Sequence, residues 1–116
     1  MKFKLIIAMV KEEKTDTVID TARENGATGC TVITSARGEG LNPVKSFMGL
    51  TLEGQRDVVL MLVEEHLSRD ILEALCKAGR FEDEPGSGIA MQIDIEDVIG
   101  LGGQIKKIEQ EIENEL

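Results

Sequence analysis

Three consecutive carboxylates, Glu82, Asp83 and Glu84, stand directly before Pro85, Gly86 and Gly88 in the stretch FEDEPGSGIAMQIDIEDVIGL, residues 81–101. Carboxylates supply the hard oxygen ligands that Mg²⁺ and Ca²⁺ prefer. Glycines at this spacing let backbone N–H groups approach a ligand closely and form anion-binding concavities. The two chemistries ask for opposite charges, and the loop itself lacks the basic side chains that would help hold an anion. A second glycine pair, RGEG (37–40), follows a β-branched run. Loop glycine is first of all turn chemistry, and an acidic run is first of all a solvated face. On their own these residues define no site.

The remaining reactive side chains are sparse. His66 is the single histidine and has no partner histidine near it in sequence, so it makes a poor metal or catalytic centre alone. Cys30 and Cys76 lie far apart and read as reduced, mostly buried thiols, with Cys30 a core residue. There is no HExxH, no CxxC, no P-loop and no paired nucleophile and base, so the chain is not expected to be an enzyme. Phe47 and Met48, in VKSFMGL, are apolar residues in a segment that should be exposed. With Lys45 beside them they read as a contact patch, for an oligomer or for a partner protein.

Charge and hydropathy narrow the classes further. Net charge −9 and a pI near 4.6 argue against a nucleic-acid or anionic-membrane binder, which needs clustered Lys and Arg. The opening MKFKLIIAMVKEEK has an apolar run too short for a spanning helix and is followed at once by charge. A cytoplasmic protein without direct membrane insertion is the expectation.

These residues are positioned by an alternating pattern of elements. FKLIIAMV (3–10) is a nearly continuous apolar run, as in a central strand. KTDTVIDTAREN (14–25) has helical spacing at Val18, Ile19 and Ala22, with Thr15 or Asp16 as N-cap and Gly26 at C′. TGCTVITSA (28–36) is a β-branched second strand, and residues 37–54 form a long loop or flexible hairpin. QRDVVLMLVE (55–64) is a third strand, and LSRDILEALCKAG (67–79) a helix capped by Ser68 and closed by Gly79. IAMQIDIEDV (89–98) is a fourth strand, and residues 102–116 place Ile105, Ile108, Ile112 and Leu116 along one helical face.

The order strand, helix, strand, strand, helix, strand is that of an α+β, ferredoxin-like βαββαβ sandwich with an added C-terminal helix. Two helices cover one face of its antiparallel sheet. The other needs a cover and no further helix pair is available for it, so a homo-oligomer is the economical answer.

The chain resembles the PII signalling-protein family along nearly all of residues 2–101. NGATGCTVITSARGEG (25–40) is similar to the family pattern VGITGMTVTEVKGFG, matching at Gly26, Thr28, Gly29, Thr31, Val32, Gly38 and Gly40. MQIDIEDVIGL (91–101) is similar to FVFDVARVIRI, with Asp94, Val98 and Ile99 identical, and AGRF (78–81) stands where the family has TGKI. The resemblance implies a compact homotrimer with nucleotide clefts between subunits. It implies a body over 1–101, a T-loop-like segment over 37–54, a B-loop-like segment over 79–88 and an appended helix over 102–116.

Carried over by position, Ile7 would line the base pocket and Thr31 would lie near the adenine. Arg37, Gly38 and Gly40 would lie at the base of the T-loop; Gly79, Arg80, Gly88 and Ile89 would frame the phosphates. The departures are specific. The T-loop is shorter than the family's, there is no tyrosine to modify, and Leu41 and Asn42 replace an Arg-Gln pair. Ile89 stands where the family has a phosphate-binding lysine; Asp97, Gly100 and Gly102 stand where it has arginines. Three readings follow. A less charged adenylate than ATP, such as AMP, cyclic AMP or ADP, is held by backbone groups with help from Arg37, Lys45 or Arg80 of one subunit or its neighbour. Alternatively, the acidic loop recruits a cation. Lastly, the site is vestigial and the chain is a protein-interaction module. The target implied by the resemblance is a membrane transporter or a metabolic enzyme of nitrogen or carbon uptake. A CutA-like trimeric metal-responsive protein shares the same architecture and is the alternative from another class.

Overall fold

The computed structural model describes residues 1–38 and 55–115. Strand β1 (Phe3–Lys11) shows the alternation that a pleated strand imposes on an apolar run. Ile6, Ala8 and Val10 are fully buried, whereas Leu5, Ile7 and Met9 on the other face are only half-buried. Strand β3 (Arg56–Glu64) pairs antiparallel with β1 and buries Val59, Met61 and Val63 on the same side. Strand β2 (Thr31–Ala36) lies outside β3, and β4 (Gly88–Asp94) lies outside β1. The sheet order is therefore β2-β3-β1-β4, with every pair antiparallel. Helices α1 (Thr15–Glu24) and α2 (Glu65–Gly79) add Val18, Ala22, Ile71 and Leu75 to one core with the buried strand residues. This is the ferredoxin-like arrangement expected from the order of elements. Truncating Ile71 or Leu75, both fully buried, to alanine should cost about 2–5 kcal/mol.

Several boundaries differ from the sequence reading, each for a local reason. A 3-10 turn (Glu12–Lys14) precedes α1, and the N-cap is Lys14, with no side-chain cap bond. Neither Thr15 nor Asp16 caps the helix; Thr15 is its first residue, and Thr15 Oγ1 instead donates to Asp57 Oδ2 across 2.7 Å in the interior. Gly26 does take up the left-handed region, at φ +107°. Strand β2 starts at Thr31 rather than at residue 28, and its pairing shifts between Ile33 and Ala36. Ser35, at φ +64°, lies inside that shift.

Helix α2 begins two residues early because the Glu64 side chain, not Ser68, caps it by accepting from His66 N. Ser68 is buried within the helix and bonds Glu65 O. At the other end the left-handed residue is Arg80 rather than Gly79. Strand β4 ends at Asp94, opposite Lys4 near the start of β1, and so stops short of the expected end at residue 98. The thiols of Cys30 and Cys76 are free and half-buried.

Helix α3 (Gly102–Glu115) follows an irregular stretch. Of its expected stripe, Ile108 is buried, Ile105 is half-buried and Ile112 is largely exposed; Leu116 lies outside the described residues. Among the described residues, the face of the sheet away from α1 and α2 stays largely uncovered, with Leu101 and Gln104 beside Leu5, Leu60 and Leu62 at one end. Register places Leu62, Leu5 and Ile93 in one row, Leu60, Ile7 and Met91 in the next, and Val58, Met9 and Ile89 in a third. Ile33, Ile89 and Ile93 are each about half exposed there, at 51%, 54% and 46%.

Candidate functional site

At the end of the sheet where β1 finishes and where β3 and β4 begin, residues 80–88 are bonded to both β1 and β3. Arg80 ends α2 at φ +56°, so that Phe81 N reaches back to Cys76 O at 3.0 Å. This backbone reversal turns the Phe81 ring inward, against the core. A Cβ at Gly79 would lie 2.3 Å from that ring, and one at Gly88 would lie 2.6 Å from it and 3.0 Å from Val10. Both glycines are therefore demanded by packing around Phe81. Ser87, fully buried, closes the loop: its N–H donates to Glu84 O, its hydroxyl to Arg80 O, and its carbonyl accepts from Lys11 N.

Arg56, at the start of β3, joins two chain segments. Its Nη1 donates to Gly86 O at 2.6 Å, and Gly86 itself sits at φ +76°. On the other side, the place of a Gly38 Cβ is only 2.8 Å from Arg56 Cδ, so a side chain there would push the guanidinium aside. Met9, Gly38, Arg56, Phe81, Gly86, Gly88 and Ile89 thus line one open concavity of about 390 Å³. Among the described residues, Arg56 is the one charged side chain in that lining. Three of the expected ligand residues, Gly38, Gly88 and Ile89, are brought together here.

The others are placed elsewhere. Thr31 lines a second concavity of about 520 Å³ on the open sheet face, with Gly29, Leu60, Leu62 and Leu101 among its neighbours. Ile7 lies in the middle of the open face between Leu60 and Met91. Arg37 is exposed. Arg80 is exposed and engaged with Glu84. Gly40, Lys45, Phe47 and Met48 lie outside the described residues.

The acidic loop does not present its three carboxylates as a set. Glu84 is bridged by Lys14 Nζ and Arg80 Nη1, each at 3.2 Å. The Lys14 bond and charge, helped by Arg80 and Lys11, hold its carboxyl below the usual glutamate range. Among the described residues, the side chains that do converge in a manner suited to a metal are Glu64, Glu65 and His66, with ligand atoms within 4.8 Å of one another. There His66 Nδ1 is already bonded to the Glu64 carboxylate, which raises the imidazole's pKa above its ordinary value.

Arg56, Phe81, Ser87 and Lys14 were not expected in these roles. Arg56 reads in sequence as one more residue at the start of the third strand, and only the β1–β3 register, which sets it opposite Lys11, and the lining of the cavity bring it to the site. Phe81 carries a weak signal, a lone aromatic between two small-residue positions.

The family model of the nitrogen regulatory protein P-II matches residues 3–103. No protein of curated function matches the sequence. Among solved structures, CPII from Thiomonas intermedia K12 bound to ADP, AMP and acetate superposes with a TM-score of 0.67 at 19% identity, covering 86% of this chain and 91% of that one. The apo form of CPII, a nitrogen regulatory PII-like protein, gives 0.63 at 18% identity over 82% and 90% of the two chains. A PII-like signalling protein from Thermus thermophilus gives 0.61 at 22% identity over 82% and 87%. At these identities the likeness is one of fold. No helix among the described residues is long and apolar enough to cross a membrane.

Proposed function

The chain belongs to the nitrogen regulatory protein P-II family, and on that premise we propose that it is a signalling regulator, not an enzyme, that binds an adenine nucleotide in clefts between subunits of a homotrimer. The single observation that carries the reading is the Arg56 concavity. There the residues that flank segment 39–54, namely Gly38 and the start of β3, meet the Gly86–Ile89 turn around one guanidinium. An anionic group placed there has one strong, forked donor. It also touches the bases of two loops at once.

The concavity is open on one side, and so is the sheet face beside it. A neighbouring protomer seated on the rows through Leu5, Ile7 and Met9 removes that apolar surface from water and supplies the missing wall. The body is then residues 1–101 and the appended unit residues 102–116. With a single cation lining it among the described residues, the cleft suits AMP or ADP better than ATP. The ADP and AMP found on CPII support an adenine nucleotide as the ligand class.

Signalling follows from position. A nucleotide gripped by Arg56 and the Gly86 turn biases the conformations open to segment 37–54, whose ends it touches, and so shifts the population that a target recognises. Lys45, Phe47 and Met48 are the contact residues in this reading. The target is a membrane transporter or an enzyme of nitrogen or carbon metabolism, met in the cytoplasm.

Calorimetric titration with ATP, ADP, AMP and cyclic AMP, each with and without Mg²⁺, tests the proposal. Micromolar binding of one of them, weakened in Arg56→Ala, is the expected result. Absence of heat and of competition at millimolar ligand would leave a loop-mediated interaction module instead.

A further inference from the structure

Although the chain carries a net charge of −9, four cations gather around loop 80–88. Lys11 lies opposite Arg56 in the sheet and donates its backbone N–H to Ser87 O. Arg56 holds Gly86 O from the cavity side. Lys14 and Arg80 grip the two oxygens of Glu84, Oε2 and Oε1 respectively, at 3.2 Å each. Lys14 is mostly buried, with its side chain 18% exposed, whereas Arg80 remains 58% exposed. One carboxylate thus bridges two cations in the geometry an external oxyanion would adopt. It does so from a loop only two residues before the glycine that Arg56 fastens.

We propose that Glu84 is a specificity-determining residue: a tethered anion that occupies the Lys14–Arg80 pair and withholds it from the phosphate groups of an incoming ligand. This rests on the reading of the Arg56 concavity as a nucleotide site. A monophosphate is served by Arg56 without disturbing Glu84. Further phosphates need further cations, and the Lys14–Arg80 pair, held two residues along the loop from the glycine that Arg56 fastens, is already filled. Because Glu84 is part of the same loop, its effective concentration at the pair is in the millimolar range or higher, so a free phosphate competes at a disadvantage. Glu84 therefore sets the phosphate number that the site accepts.

The test compares wild type, Glu84→Gln, Glu84→Asp and the double variant Lys14→Gln/Glu84→Gln by calorimetry with AMP, ATP and inorganic pyrophosphate. Glu84→Gln is expected to tighten ATP about tenfold, as for one charge-assisted contact regained, while AMP moves less than about threefold. Glu84→Asp keeps the charge but shortens its reach, and should fall between wild type and Glu84→Gln. In the double variant the gain for ATP should vanish. If nucleotides bind but the ATP-to-AMP ratio is the same in all four proteins, the tethered-anion role is overturned and the nucleotide reading stands. If no nucleotide binds any form, yet pyrophosphate binds Glu84→Gln and not wild type, the nucleotide reading falls and Glu84 still guards a phosphate site. If pyrophosphate and nucleotides both fail on every form, both ideas are wrong.

Discussion

Arg56 Nη1 donates a 2.6 Å hydrogen bond to the carbonyl of Gly86, which fastens the start of β3 to the glycine turn before β4. A guanidinium has five donors, so one spent on a carbonyl leaves others for an anion in the concavity it lines. The same side chain is thereby a structural tie and, in the proposed reading, the charge that faces the ligand.

Replacing Arg56 with alanine separates those roles by magnitude. The tie is exposed, so its loss should lower stability by only about 0.5–1.5 kcal/mol. Adenylate binding, which loses the guanidinium that lines the concavity, should weaken by about tenfold or more. Urea unfolding and calorimetry on the same preparation give the two numbers. A stability loss with unchanged nucleotide affinity would make Arg56 a tie and nothing else.

Gly79 and Gly88 test whether Phe81 dictates the loop. A methyl group at either position meets the Phe81 ring at 2.3 or 2.6 Å. Gly79→Ala and Gly88→Ala should therefore each destabilise by about 1–3 kcal/mol through overpacking. In a Phe81→Ala background the cost of Gly79→Ala should largely vanish, and that of Gly88→Ala should shrink to what its 3.0 Å approach to Val10 demands. Additive effects in that double-mutant cycle, read from urea midpoints, would show that the glycines are needed for some other reason.

The fold was readable because its signals were strong and local. The apolar run from Phe3 to Val10, the helical spacing of Val18 and Ala22, and the order of strands and helices each pointed to one architecture. What failed were the caps. Thr15 and Ser68 are good N-cap types, yet burial gave each hydroxyl a different partner, Asp57 for Thr15 and Glu65 O for Ser68. Gly38, Gly88 and Ile89, singled out in the sequence, line one cavity, whereas Arg56 and Lys14 reach their places through strand register and a turn, which no local pattern in the sequence encodes.

The charge pairs predict how stability varies with pH. His66 has a raised pKa in the folded protein, chiefly through its hydrogen bond to Glu64 and then through that carboxylate's charge. Its contribution is complete below the ordinary value of 6.5 and is lost as pH rises through the raised one. Glu84 and Asp94 have lowered pKa values, held down chiefly by bonds from Lys14 and Lys4. Their contributions are complete above the ordinary values of 4.5 and 3.8 and are lost as pH falls through the lowered ones. Urea midpoints should thus be highest at about pH 5–6 and decline on both sides. His66→Gln should flatten the alkaline side alone; a decline that persists in that variant would assign it to another group.

The open sheet face makes the last prediction. Ile7 lies between Leu60 and Met91 in the middle row of that face, and Ile89 and Ile93 flank Met91 on the neighbouring strand with about half of each side chain exposed. An apolar surface of this kind is costly to leave in water, and three copies closing around an axis would bury it without leaving a free edge. Light scattering should therefore give about three times the 12.7 kDa protomer mass. Ile7→Glu would place a charge at the centre of the association surface, where burying it unpaired costs several kcal/mol. Because Ile7 points away from the core that Ile6 and Ala8 occupy, the variant should keep its circular dichroism while dissociating to protomers. Nucleotide binding should be lost with the assembly, since the second wall of the cleft leaves with the neighbour. A variant that retained the trimer mass would show that subunits meet through some other surface.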